Sequence, residues 1–152
     1  MMIRGVVAMA LALFLGGCVV ANALIDPYTN LHFTAYGKIN PDGSGRSSPL
    51  VVRVYELSST DTFKDADFFE LYDDAPAVLG EDLLSSAELI VRPGRDLTKK
   101  LRLHKETTHI GIIGAFRDIE NADWKLVLDA DPRDYENLHI RIKDRSISMD
   151  ED

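Results

Sequence analysis

Residues 30–40, NLHFTAYGKIN, set Leu31, Phe33, Ala35 and Ile39 at odd positions and His32, Thr34 and Lys38 at even ones. Successive side chains of an extended backbone point to opposite sides, so a period of two marks a strand with one buried face. The same alternation recurs along the chain. Residues 49–57, PLVVRVYEL, place Leu50, Val52 and Val54 opposite Arg53. Residues 87–93, AELIVRP, set Ala87, Leu89 and Val91 against Glu88 and Arg92. In residues 96–104, DLTKKLRLH, the leucines 97, 101 and 103 face Thr98, Lys100 and Arg102. Residues 108–116, THIGIIGAF, are apolar on both faces, as a central strand requires. Residues 124–130 and 138–144 add two more strands, and SISM at 146–149 a short last one.

The connections fit that reading. RPGRD at 92–96 puts Pro93-Gly94 between two strands, which reads as a hairpin, and DADPRDYEN at 129–137 is a polar link between two others. Seven or eight short strands joined in this way imply a mainly β fold, a two-sheet antiparallel β-sandwich.

One segment breaks the alternation. In residues 59–86, STDTFKDADFFELYDDAPAVLGEDLLSS, Phe68, Leu71 and Tyr72 fall at helical spacing. Thr62 and Asp65 resemble a capping box, and Pro76 is expected to end the helix. A helical insertion at about 60–85 therefore sits between the second and third strands, with its aromatics packed on the sandwich.

The front of the chain is of another kind. MMIRG carries Arg4, the one charge among the first 25 residues, and Val6 to Leu15 form an apolar run. Ten residues fall short of the roughly 20 that a spanning helix needs. A positive start, an apolar run and small residues form a secretory signal. This one ends Leu15-Gly16-Gly17-Cys18, which resembles a bacterial lipobox. That resemblance implies cleavage before Cys18, a diacylglycerol on its sulfur and an N-acyl chain on its new amino group. Cys18 is the one cysteine of the chain, so no disulfide within the chain is available to it. Val19 stands where an aspartate would favour retention at the inner membrane. The expected division is 1–17 signal peptide, 18–29 lipidated cysteine and tether, and 30–152 sandwich domain.

The chain of 152 residues has a formal charge of −8, and loss of Arg4 with the signal leaves the body at −9. An acidic body does not suit nucleic acid, whose phosphates need Lys and Arg. No nucleophile elbow, phosphate loop or HExxH motif is present, and no cofactor is expected beyond the acyl chains. His32, His104, His109 and His139 fall at outward strand positions with no zinc spacing. Asp129, Asp131, Asp134 and Glu136 could hold calcium but lack the EF-hand pattern. An enzyme is not expected.

Residues 40–49, NPDGSGRSSP, link the first two strands and are long for a hairpin. The loop reads either as a solvated insertion or as a binding loop. Asp42 and Arg46 are its two charges, and arginine is enriched at interfaces.

Taken in order, the lipobox, VRVYEL, FKDADFFELYDD, LGEDLL, and IGIIGAFRDIENADWK with its Phe116-Arg117-Asp118 and Trp124 resemble the TssJ (SciN) lipoproteins of bacterial type VI secretion. The resemblance spans nearly all of the chain after Cys18. It implies a transthyretin-like sandwich anchored in the outer membrane with its body in the periplasm. It also implies an adaptor that binds the C-terminal periplasmic domain of TssM and, through it, meets TssL. The implied contact is the first loop: Asn40, Pro41, Asp42, Gly43, Ser44, Gly45, Arg46, Ser47 and Ser48. Arg117 and Asp118 are expected to brace the turn before Trp124. Two other functions stay open: a periplasmic lipoprotein that binds a small ligand or calcium, and a pilot lipoprotein for another membrane protein.

Overall fold

The strand reading is realised in the computed structural model, which describes residues 26–150. The proposed signal, Cys18 and all but the last part of the tether lie outside the described residues. Eight strands run in chain order: β1 (Thr29–Ile39), β2 (Leu50–Leu57), β3 (Leu83–Val91), β4 (Leu97–Leu101), β5 (His109–Gly114), β6 (Lys125–Asp129), β7 (Glu136–Asp144) and β8 (Ser146–Met149). Helices α1 (Asp61–Asp65) and α2 (Phe68–Leu79) fall between β2 and β3, within the expected insertion. The strands form two sheets of four, ordered β4-β1-β7-β8 and β3-β2-β5-β6. Every pairing is antiparallel except that of β1 with β7, which is parallel.

Each sheet gives one face to a shared core. Leu31, Phe33, Ala35, Ile140, Ile142 and Ile147 from the first sheet meet Leu50, Val52, Val54, Ile110, Ile112 and Leu128 from the second. These are the residues of one parity on each strand, and burying them removes their apolar surface from water. The Pro93-Gly94 turn is not a hairpin, because β3 and β4 belong to different sheets. It is an arch, with Gly94 at φ 65° and its N–H donated to the Tyr36 carbonyl of β1 at 3.1 Å. His104 likewise lies just past β4 and not on a strand, where its backbone N–H reaches the buried Glu56 carboxylate at 3.0 Å.

The second face of β5 is apolar because the helical insertion covers it. Phe63, Phe68, Leu71, Ala75 and Leu79 pack on Tyr55, Leu57 and Ile113. The Phe63 ring comes so close to β5 that a Cβ on Gly111 would stand 2.6 Å from it. The capping box falls one helix later than the sequence suggested. Asp67 Oδ1 accepts the Glu70 N–H and Glu70 Oε2 accepts the Asp67 N–H, both at 2.9 Å, while Thr62 makes no cap. Asp67 is better placed because it directly precedes the first turn of the longer helix. That helix breaks at Asp74, whose φ of −149° is not helical, and Pro76 lies inside the final turns. Proline is tolerated there because the first N–H groups of a restarted helix lack partners anyway. Lys125 Nζ bridges insertion and sheet, donating to the carbonyls of Phe63, Lys64 and Ala66 at 2.9, 2.9 and 2.6 Å.

β1 fixes the long axis. The chain enters at Thr29, and eleven residues later, about 33 Å away at strand rise, it leaves into the 40–49 loop. Thr29 and the 40–49 loop therefore stand at opposite ends of β1.

Candidate functional site

The 40–49 loop is built from its own sequence. Proline brackets it at 41 and 49, and Asn40 at its base takes φ 45°, which asparagine tolerates better than most residues. Asp42 is the hub. Its Oδ1 accepts the Ser44 hydroxyl at 2.7 Å and the backbone N–H groups of Ser44 and Arg46 at 3.0 Å each. Its Oδ2 accepts Arg46 Nε at 3.1 Å, and Arg46 Nη2 lies 3.1 Å from the same oxygen. These donors, the Ser44 hydroxyl first and the Arg46 N–H next, hold the Asp42 carboxyl down at about 2. Gly45 sits at φ 81°, a conformation that glycine reaches without a Cβ clash.

The nine expected contact residues divide by position. Asn40, Pro41 and Ser48 are buried and serve as the base. Asn40 Nδ2 donates to the Pro49 carbonyl at 2.8 Å, Asn40 Oδ1 accepts the Arg117 N–H at 2.8 Å, and the Asn40 N–H donates to the Asp144 carbonyl at 2.7 Å. Ser47 Oγ reaches back to the Gly37 carbonyl at 3.0 Å. Gly43, Ser44, Gly45 and Arg46 form the exposed tip, and the Arg46 side chain is 83% exposed.

Beside the tip lies a cleft of about 300 Å³ lined by Pro41, Asp42, Gly43, Arg117, Asp118 and Arg145. Arg117 and Asp118 were both expected to brace the turn before Trp124, and only Asp118 does so with its side chain. Asp118 does brace the turn, holding Asn121 Nδ2 at 2.8 Å and Arg145 Nε at 3.1 Å. Arg117 gives the brace only its backbone, and its exposed guanidinium meets no carboxylate among the described residues. A cation next to a loop tip could have been noted from "AFRD", but its nearness to residue 40 is a tertiary fact.

The acids suggested for calcium are dispersed. Asp131 is held by Arg133 Nε and Nη2 at 2.9 and 2.7 Å, Asp129 lies 3.2 Å from His109 Nε2, and Glu136 Oε2 accepts the Asp131 N–H at 3.4 Å. Among the described residues no group of three or more His, Cys, Asp or Glu could hold a metal ion. The largest of the clefts described, about 370 Å³, is an open notch around Lys105, Thr107, Asp131 and Arg133, unlike the enclosed apolar pockets that small ligands favour. Among the described residues no helix is long and apolar enough to cross a membrane.

Comparison with known proteins agrees with this architecture. The family T6SS-SciN, described as type VI secretion lipoprotein (VasD, EvfM, TssJ), matches residues 27–145. Among solved structures the chain is similar to the T6SS lipoprotein TssJ1 from Pseudomonas aeruginosa, with 31% identity and a TM-score of 0.79, over 83% of this chain and 96% of that one. It is similar to Serratia marcescens Lip, a membrane-bound component of the type VI secretion system, with 25% identity and a TM-score of 0.71, over 82% of this chain and 97% of that one. A chain in the structure described as the T6SS protein TssM C-terminal domain from EAEC shares the fold, at 21% identity and a TM-score of 0.72, over 84% and 100% of the two chains. No curated protein matches significantly. With the sandwich, the helical insertion and the family match over residues 27–145 in agreement, the chain belongs to the type VI secretion lipoprotein family, T6SS-SciN.

Proposed function

We propose that this chain is a lipid-anchored adaptor of the type VI secretion membrane complex. Cys18 carries the acyl chains, and the body stands in the periplasm below the outer membrane. The tip of the 40–49 loop and the adjoining cleft bind the C-terminal periplasmic domain of a TssM-type inner-membrane protein, which brings TssL into the same assembly. The protein acts by holding its partner and performs no turnover.

The observation that carries this reading is that Thr29, at the end of the proposed tether, and the 40–49 loop stand at opposite ends of β1. An anchor at one end and an ordered, exposed loop at the other suit a protein that must reach away from its own membrane. The loop is also preorganised by Asp42, which lowers the entropy lost on binding. Arg117 offers beside it a cation that meets no carboxylate among the described residues. The likeness to a chain in a TssM structure supports the partner, at the level of fold.

The anchor is tested separately. Cys18→Ser should leave an uncleaved or soluble product that no longer partitions into the detergent phase. Partitioning like that of the native chain would overturn the lipid assignment.

A further inference from the structure

The two outer faces of the sandwich carry opposite charge. The outward positions of β4-β1-β7-β8 hold Lys38, Lys100, Arg141 and Lys143 and no carboxylate. Asp96 and Asp150 lie just past the ends of the two edge strands, and Asp150 pairs with Arg141. Glu136 and Asp144, at the ends of β7, share the core-facing parity of Ile140 and Ile142. The three lysines are exposed. Lys100 lies 3.9 Å over the Tyr28 ring and Lys143 lies 5.7 Å over Tyr36, contacts that position their charge without neutralising it. Between them the face is polar, with the rings of His32 and His139 stacked at 4.9 Å.

The opposite side is covered by the helical insertion. Between residues 61 and 82 the sequence holds eight carboxylates and one cation, Lys64. The insertion buries Phe63, Phe68, Leu71, Ala75 and Leu79 on the sheet and leaves Phe69 and most of its carboxylates facing solvent. The basic sheet face is complementary in charge to the acidic side that the chain itself presents.

We propose that the outer face of β4-β1-β7-β8 docks the acidic helical side of a second copy, so that copies stack front to back. The contact is heterologous, because different surfaces meet. Four strands are about 15 Å across, and the face is about 30 Å long. That gives about 500 Å² per copy, against about 800 Å² for a standard stable interface. The contact is therefore weak in dilute solution and forms where copies are concentrated, as on a shared membrane. It relies on the lipid-anchor reading for that setting but not for its chemistry, and it is independent of the loop's partner.

The test is carbodiimide cross-linking of the detergent-solubilised full chain, mixing isotope-labelled and unlabelled copies. Mass spectrometry should find links between copies joining Lys38, Lys100 or Lys143 to carboxylates of the 61–82 segment. Their yield should fall sharply between about 0.1 M and about 1 M salt, where the screening length drops from about 10 Å to about 3 Å. The triple variant Lys38→Glu, Lys100→Glu, Lys143→Glu removes the reacting amines and should show none of these links by itself. The variant Asp65→Lys, Asp73→Lys, Glu81→Lys keeps the three face amines and five carboxylates of the segment, yet should lose about tenfold or more of the yield because like charges then meet, and mixing the two variants should bring back links between copies, now from the new lysines to the new glutamates. Absence of links between copies in the native chain at low salt would overturn the proposal, and so would links indifferent to salt. If the face variant instead weakens only the binding of a TssM-type domain, the face belongs to that partner and stacking is wrong.

Discussion

Asn40 Oδ1 accepts the backbone N–H of Arg117 at 2.8 Å across 77 residues of sequence. Its Nδ2 is donated to Pro49 and its own N–H to Asp144. One buried amide thus ties the ends of β1 and β7, the start of β2 and the Arg117 turn into a single base for the loop. Asn40→Ala would leave the Arg117 N–H and the Pro49 carbonyl without partners at a buried site. A loss of about 1–3 kcal/mol is expected, read as a fall of about 3–10 °C in thermal midpoint. An unchanged midpoint would show that the amide is dispensable.

The Asp42 hub predicts a pH dependence. The folded carboxyl lies near 2, below its ordinary value of 3.8, because the Ser44 hydroxyl and the Arg46 N–H favour the charged form. A depressed carboxyl contributes its order above the ordinary value and loses it as pH falls through the folded one. The loop should therefore hold its form from neutrality down to about pH 4 and loosen toward pH 2. Amide shifts of Ser44 and Arg46 followed by NMR should show that midpoint. A midpoint near 4 would mean that the hub does not exist in solution.

Gly111 is the point of closest approach between sheet and insertion. Its added Cβ would meet three atoms of the fully buried Phe63 ring at 2.6, 2.8 and 2.9 Å. Gly111→Ala should destabilise the fold by about 1–3 kcal/mol through overpacking. Phe63→Leu in the same chain should recover part of that loss, since the clash is with the ring. A double-mutant cycle in denaturant measures the coupling, and strict additivity would contradict the contact.

Lys125 closes the break between α1 and α2 by capping three carbonyls. Lys125→Met keeps the stem and removes the donors. About 1–3 kcal/mol should be lost, and hydrogen exchange should quicken across 61–79 before it does in β2 or β5. Uniform quickening would show that the insertion and the sheet open together.

Much of this fold was legible in the sequence because burial on one face leaves a period-two pattern. Leu31, Phe33 and Ile39 carried β1, and Ile140 with Ile142 carried β7. The both-faced apolarity of residues 110–113 marked β5 as central, although its second cover was helix and not sheet. The arch at Gly94 read as a hairpin because a Pro-Gly turn looks the same whether its strands share a sheet or not. Asp67 was passed over for Thr62 because the helix start was placed one turn early. The loop at 40–48 was visible by composition. Its division into a buried base and an exposed tip was not, since that depends on Arg117 and Asp144, far away in sequence.

The proposed contact of the loop tip with the periplasmic C-terminal domain of a TssM-type protein can be measured directly. The direct measurement is calorimetric titration of residues 19–152 with that domain from the same bacterium, using the native loop and one in which residues 42–47 are replaced by a short Gly-Ser turn. Saturable one-to-one binding is expected, weakened about tenfold or more with the short loop, as loss of a preorganised contact should cause. Equal affinity with both loops, or no binding by the native chain, would contradict it.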